Sequence, residues 1–229
     1  MMNIRVVAAT SFGVLLYCHS LAAQPTFQYR QYALGTSVAS VVKISKTRED
    51  ATRTLHERPA RIQQLEWRAP YVSSGTEMAD PVRDVLFSFY DDQLYQVVVT
   101  YDRDRMEGLT NEDVIELISA TYGSPLLRNA KGRQSAAPGD MPAQTMVLAQ
   151  WEDDGAELTL SRDTYSPQFQ LVLISKQLNS AARAAIKEAA RVNAQEAPQR
   201  ERDQRSRDVA DARVVSDKAR VVNKAAFKP

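Results

Sequence analysis

Two stretches of the chain open alike and then continue in the same order. Gly35-Thr36-Ser37-Val38-Ala39-Ser40-Val41 and Gly108-Leu109-Thr110-Asn111-Glu112-Asp113-Val114 both read Gly-x-[Ser/Thr]-x-x-x-Val. Each is followed by a strand pattern bearing a tryptophan, Trp67 or Trp151, and then by a hairpin pattern. Internal repetition constrains architecture strongly, because one supersecondary unit must form twice and the copies must bury apolar surface together. The expectation is an α+β fold of two tandem units, 24–102 and 103–178. Each unit packs short helices on one face of an antiparallel sheet, and a charged helical tail follows over 179–229.

Within the first unit, Val38, Val41 and Val42 fall at i, i+3 and i+4, with Thr36 or Ser37 placed to cap the free helix N–H groups. The polar stretch 46–58 is expected to hold a second short helix ended by Pro59. Residues 61–68 read as a strand with Leu65 and Trp67 on one face. Strands over 82–90 and 94–101 follow, rich in β-branched and aromatic residues, with Asp91-Asp92-Gln93 as the turn. In the second unit Thr110 caps a helix with Val114, Leu117, Ile118 and Thr121 on one stripe, and Gly123 and Pro125 stop it. Residues 128–144 mix Gly, Pro, Ser and Ala without period and read as a loop. Three more strands are expected over 146–151, 157–162 and 169–176. The Gly-to-Trp spacing is 32 positions in the first copy and 43 in the second, and that loop absorbs the extra 11.

The first 23 residues read as a cleaved secretory signal. Arg5 precedes an apolar run from Val6 to Tyr17, and Ser20-Leu21-Ala22-Ala23 supplies small residues for the peptidase. The run is shorter than the roughly 20 apolar residues a membrane span needs. A soluble periplasmic or secreted protein is therefore expected. Cys18 lies inside the signal, and Tyr17 stands where a lipoprotein needs a small residue, so lipidation is not expected. The mature chain then has no cysteine, and its core alone must hold it together, which about 150 residues or more can do.

A nearly neutral composition hides an asymmetry. Residues 183–229 hold 12 basic and 7 acidic residues, a net of +5, whereas 24–182 hold 16 basic and 21 acidic, a net of −5. Ala182, Ala185, Ile186, Ala189 and Ala190 form a small-residue helical stripe able to pack on the body, interrupted by Pro198. Beyond it, Val209, Ala212, Ala219, Val222 and Ala226 sketch a seam with no large apolar residue. A frayed helix or disorder is expected there, rather than a coiled coil.

Helix entry at Gly-x-[Ser/Thr]-x-x-x-Val, followed by a Trp strand and a hairpin, resembles the small outer-membrane lipoprotein A (SmpA/OmlA-like) family of the bacterial envelope. In tandem it is similar to the β-lactamase-inhibitor-protein fold. The resemblance covers roughly 34–178 and implies short helices on one face of an antiparallel sheet, with the open, concave face gripping a partner protein. The chain departs from the first family in lacking the lipid-anchored cysteine, and from the inhibitors in lacking disulfides.

Strand alternation can be read independently of that resemblance. It assigns Val85, Phe87, Phe89, Tyr95, Val97, Val99, Leu158, Leu160, Phe169, Leu171 and Leu173 to the helix-packed face. The opposite face then carries Leu86, Ser88, Tyr90, Leu94, Gln96, Val98, Thr100, Glu157, Thr159, Ser161, Gln170, Val172 and Ile174; of these, Tyr90, Leu94, Gln96, Val98, Thr100, Thr159, Gln170, Val172 and Ile174 are the candidate partner-binding residues. Apolar groups interleaved with hydroxyls and amides suit a protein-binding patch. The competing reading is that the C-terminal helix covers this face with its alanine stripe. Trp67 and Trp151 are read as core.

No catalytic, cofactor-binding or metal-binding constellation is visible. His56 is the single histidine of the mature chain and sits among polar neighbours. Without cysteine or clustered histidine, thiol nucleophiles and the common zinc sites have no ligands. Asp102-Arg103-Asp104 begins like a calcium loop, but Met106 and Glu107 stand at the next ligand and turn positions. Asp91-Asp92 and Glu152-Asp153-Asp154 are acidic turns at comparable places in the two copies. The expectation is an exported, non-enzymatic module that binds a periplasmic or envelope protein. Two other readings stand beside it: an envelope hydrolase using those turn carboxylates, and a structural tether whose basic tail makes weak electrostatic contact with anionic membrane or cell wall. Nucleic acid is not expected as a partner.

Overall fold

The computed structural model describes residues 27–70, 80–133, 145–163 and 168–226. The expected signal segment, with Cys18, lies outside these residues, as do 134–144 of the expected loop. The chain begins with a small hairpin, β1 (Gln28–Tyr29) and β2 (Tyr32–Ala33), and enters α1 (Val38–Ser45). Four strands follow: β3 (Thr52–His56), β4 (Ile62–Arg68), β5 (Val82–Tyr90) and β6 (Gln93–Tyr101). The pattern then repeats as α2 (Asn111–Tyr122), β7 (Leu127–Arg133), β8 (Thr145–Glu152), β9 (Ala156–Asp163) and β10 (Phe169–Ser175). A single helix, α3 (Lys176–Ala226), completes the chain.

The eight later strands form one antiparallel sheet in the order β3-β4-β5-β6-β10-β9-β8-β7. Each unit contributes a four-stranded meander, and the meanders meet strand to strand, with Val98 of β6 opposite Val172 of β10. Val85 pairs with Val99 in the first half and Leu158 with Leu173 in the second, so the halves are related by a near two-fold axis through that central valine pair. The α+β expectation therefore holds, and its two copies share one sheet and one core.

The repeated glycines explain how each helix is aimed. Gly35 and Gly108 both have φ of +84°, a conformation that side chains resist and glycine does not. Gly35 N donates to Leu94 O at 2.8 Å, and Leu94 N to Thr36 O at 2.9 Å, which ties the helix entrance to the start of β6. Two residues after each glycine stands the N-cap. Ser37 accepts from Ser40 N, while Thr110 and Asp113 form a reciprocal capping box. Val41 and Val42 of α1, and Val114, Ile115 and Ile118 of α2, are buried in a core shared with Leu65, Phe87, Phe89, Val97, Val99, Leu148, Trp151, Leu158 and Leu160.

Five expectations are corrected. The stretch 46–58 holds a single 3-10 turn and then β3 in place of a second helix, since Thr52 and Thr54 pair with Leu65 and Gln63 on the sheet edge. Residues 127–133 form β7, so the expected loop begins later. Leu117 is 62% exposed because the buried face of α2 follows Ile115. Leu94 and Tyr95 exchange faces: a register shift between Ser88 and Phe89 leaves Tyr95 as the extra residue, and alternation inverts around it. Finally, α3 runs unbroken through Pro198. Alanine, arginine, glutamine and lysine favour helix, and Glu188–Arg191 and Glu201–Arg205 add ion pairs one turn apart.

Candidate functional site

The face opposite α1 and α2 is partly occupied by the molecule itself. Leaving β10 at Lys176, α3 folds back over the ends of β10, β6 and β5. Leu178, Ala182 and Ile186 pack there against Ile62, Tyr90 and Tyr95, with Ala182 fully buried. Farther along, Ala189 is buried and Glu196 reaches Arg58 beside the β3–β4 turn at 3.5 Å. The alanine stripe does cover sheet, because small side chains let the helix backbone lie close over bulky Ile62 and Tyr95.

Of the nine candidate partner-binding residues, Leu94 belongs to the main core and is fully buried. Tyr90 is half-buried against α3. Thr100, Thr159, Val172 and Ile174 are on the expected face, but each is less than 9% exposed. Gln96, Val98 and Gln170 are half-buried like Tyr90. Leu86, which pairs with Val98 across β5–β6, is half-buried too. Leu86, Val98, Gln96 and Gln170 thus form a partly accessible strip at the middle of the sheet, beside the equally accessible Gln64, Asp84, Gln150 and Glu157. Toward β4 it is flanked by the Glu66–Arg68 pair at 2.7 Å. Alternation in the sequence placed all four on this face and named three of them, Gln96, Val98 and Gln170, as partner-binding.

A second cluster has no counterpart in the sequence reading, because its members lie far apart along the chain. Arg30 makes a two-pronged ion pair with Asp80, at 2.6 and 2.7 Å, and sits over the Tyr29 ring. Arg105 donates to the Asp80 carbonyl. The Tyr122 hydroxyl donates to Gln28 O at 2.8 Å, and its ring stacks on Phe27. The hydrogen bond from Arg30 holds the Asp80 carboxyl below the usual range. Burial, helped by neighbouring Tyr122, pushes the Tyr101 phenol up to about 12, and burial raises Tyr29 further still. The Tyr122 hydroxyl thus joins α2 to the β1–β2 hairpin, while burial keeps the Tyr29 and Tyr101 phenols neutral.

The acidic turns are engaged in backbone geometry. Asp91 accepts from Arg61 N at 2.8 Å, Asp92 from Val38 N at 3.1 Å, and Asp153 from both Gly155 N and Ala156 N. Asp102 accepts from Asp104 N and Arg105 N, closing a turn where the calcium pattern began. His56 ends the edge strand β3. Among the described residues there is no group of His, Cys, Asp and Glu side chains able to hold a metal ion. A cavity of about 570 Å³ at the β8–β9 turn and the start of α3 is lined by Phe27, Leu34 and Leu178 together with Asp154, Ser175 and Gln177. Among the described residues, no helix is long and apolar enough to cross a membrane.

Compared with family models, curated proteins and solved structures, the chain matches none of them.

Proposed function

We propose that the protein is an exported, non-catalytic binding module that grips a periplasmic or envelope protein through the uncovered strip of its sheet. The observation that carries this reading is the pairing of half-buried Leu86 and Val98, aliphatic side chains left partly accessible at the centre of the face that α3 covers only in part. Aliphatic surface framed by Gln96, Gln170 and the Glu66–Arg68 pair has the composition of a protein contact: an apolar centre and a polar rim. The strip also lies across the junction of the two halves, where an SmpA/OmlA-like or inhibitor-like tandem would present its partner surface. Export rests on the N-terminal charge, apolar run and small-residue pattern. The hydrolase reading has less behind it, because one carboxylate oxygen of Asp91 and of Asp153 is already used to fix backbone N–H groups.

A photoreactive residue at Gln96 tests the proposal in the exporting cell, with Leu117 as an exposed site on the opposite side. The expected outcome is a discrete adduct at position 96 that Gln170→Lys suppresses while the melting temperature stays unchanged. No adduct at 96, or equal labelling at 117, would discard this surface.

A further inference from the structure

We infer that the outer part of α3 is an electrostatic dock for an anionic lipid surface, meeting headgroup phosphates along one basic face. From 199 to 226 every residue of the helix is exposed. At 1.5 Å per residue these 28 positions extend about 42 Å. At 3.6 residues per turn, Arg202, Arg205, Arg213, Arg220 and Lys224 fall within about 100° of the circumference, an arc that contains no carboxylate. Ser206, Val209, Ser216 and Asn223 fill the rest of it. The acids Glu201, Asp203, Asp208, Asp211 and Asp217 all lie on the remaining sides.

Several of these cations are free to act outward. Arg205 lies 3.6 Å from Glu201 in an exposed pair, and Arg202 donates to Gln199. Arg213, Arg220 and Lys224 form no ion pair with any described residue. Arg200, Arg207 and Lys218 lie on the other side among the acids, so the carboxylate-free row of five cations, about 33 Å long, is the face that fits a flat array of phosphates. It does not fit a nucleic-acid groove, whose walls surround an inserted helix and would meet the acids on its other sides. Nor does the helix insert deeply. Val214, Val215, Val221 and Val222, each 52–70% exposed, lie on the side turned away from the basic arc, so attraction depends on charge and is screened by salt.

Co-sedimentation of the full chain with phosphatidylcholine vesicles, plain or carrying about 30% phosphatidylglycerol, tests the inference. Binding is expected only with the anionic lipid, and is lost at about 0.5 M salt. Arg213→Gln with Arg220→Gln should weaken it roughly 25-fold, at about fivefold per surface cation. Arg207→Gln with Lys218→Gln removes the same charge from the opposite side and should change it less than about threefold. Helix content by circular dichroism is expected to be equal in the two doubles. Equal losses in both would show attraction by net charge without a face, and overturn the inference. Absent vesicle binding, binding that persists in high salt, or tighter binding to duplex DNA at the same salt would overturn it too.

Discussion

At the scale of single residues, the most perturbed groups are the phenols beneath the β1–β2 hairpin. Tyr101 has its folded pKa raised to about 12, above the ordinary phenol value near 10. A group raised in this way favours the fold fully below its unfolded pKa, and that contribution is lost as pH rises from about 10 to 12. Melting temperature measured against alkaline pH should therefore fall steeply for the parent chain and more gently for Tyr101→Phe. The difference is on the order of 2 kcal/mol across that window. An identical alkaline slope in the variant would show that Tyr101 ionises without penalty. Nothing in the sequence announced this cluster, since Tyr29, Asp80, Tyr101 and Tyr122 are joined only by the final fold. The repeated glycines were readable, because a glycine two residues before a capping side chain marks a helix entrance wherever it occurs.

At the scale of elements, periodicity located the strands well and their faces less well. Alternation counts residues in twos, and one extra residue inverts everything beyond it until the register recovers. The shift at Ser88/Phe89 is such a place, and it is why Leu94 joined the core while Tyr95 moved to the face taken by α3. The β3 segment misled for another reason: polar, exposed edge strands carry no apolar alternation, so 46–58 offered only composition. The docking of α3 turns on Ala182, fully buried near Ile62 and Tyr95. Ala182→Leu is expected to lower stability by about 1–3 kcal/mol, because the added methylenes have no space beneath the helix. Hydrogen exchange should then quicken in the amides of 178–189 and not in those of α2. Unchanged protection across 178–189 would mean that the contact is loose.

At the scale of the whole molecule, α3 joins two environments in one element. Its first third packs on the body, and every residue of its last half is exposed. Ending the chain after Pro198 should leave thermal stability within about 0.5 kcal/mol of the parent, the range expected for exposed positions. Ending it after Gln177 should cost several kcal/mol, because Ile62, Tyr90 and Tyr95 lose their cover. If the two truncations melt alike, α3 does not hold the sheet face shut. Composition revealed the basic excess of this region but not its continuity. The absence of large apolar residues suggested disorder, whereas helix-favouring side chains and spaced ion pairs carry the helix past Pro198.

The way the two meanders meet has a consequence for how such a chain can exist at all. Taken singly, either half would end on a bare central strand, β6 or β10, with a run of unsatisfied backbone donors and acceptors. Such a margin invites any similar strand, including its own twin in a neighbouring molecule. Joining both halves in one polypeptide keeps the matching margin always at hand, so closure becomes a first-order event that dilution cannot reverse.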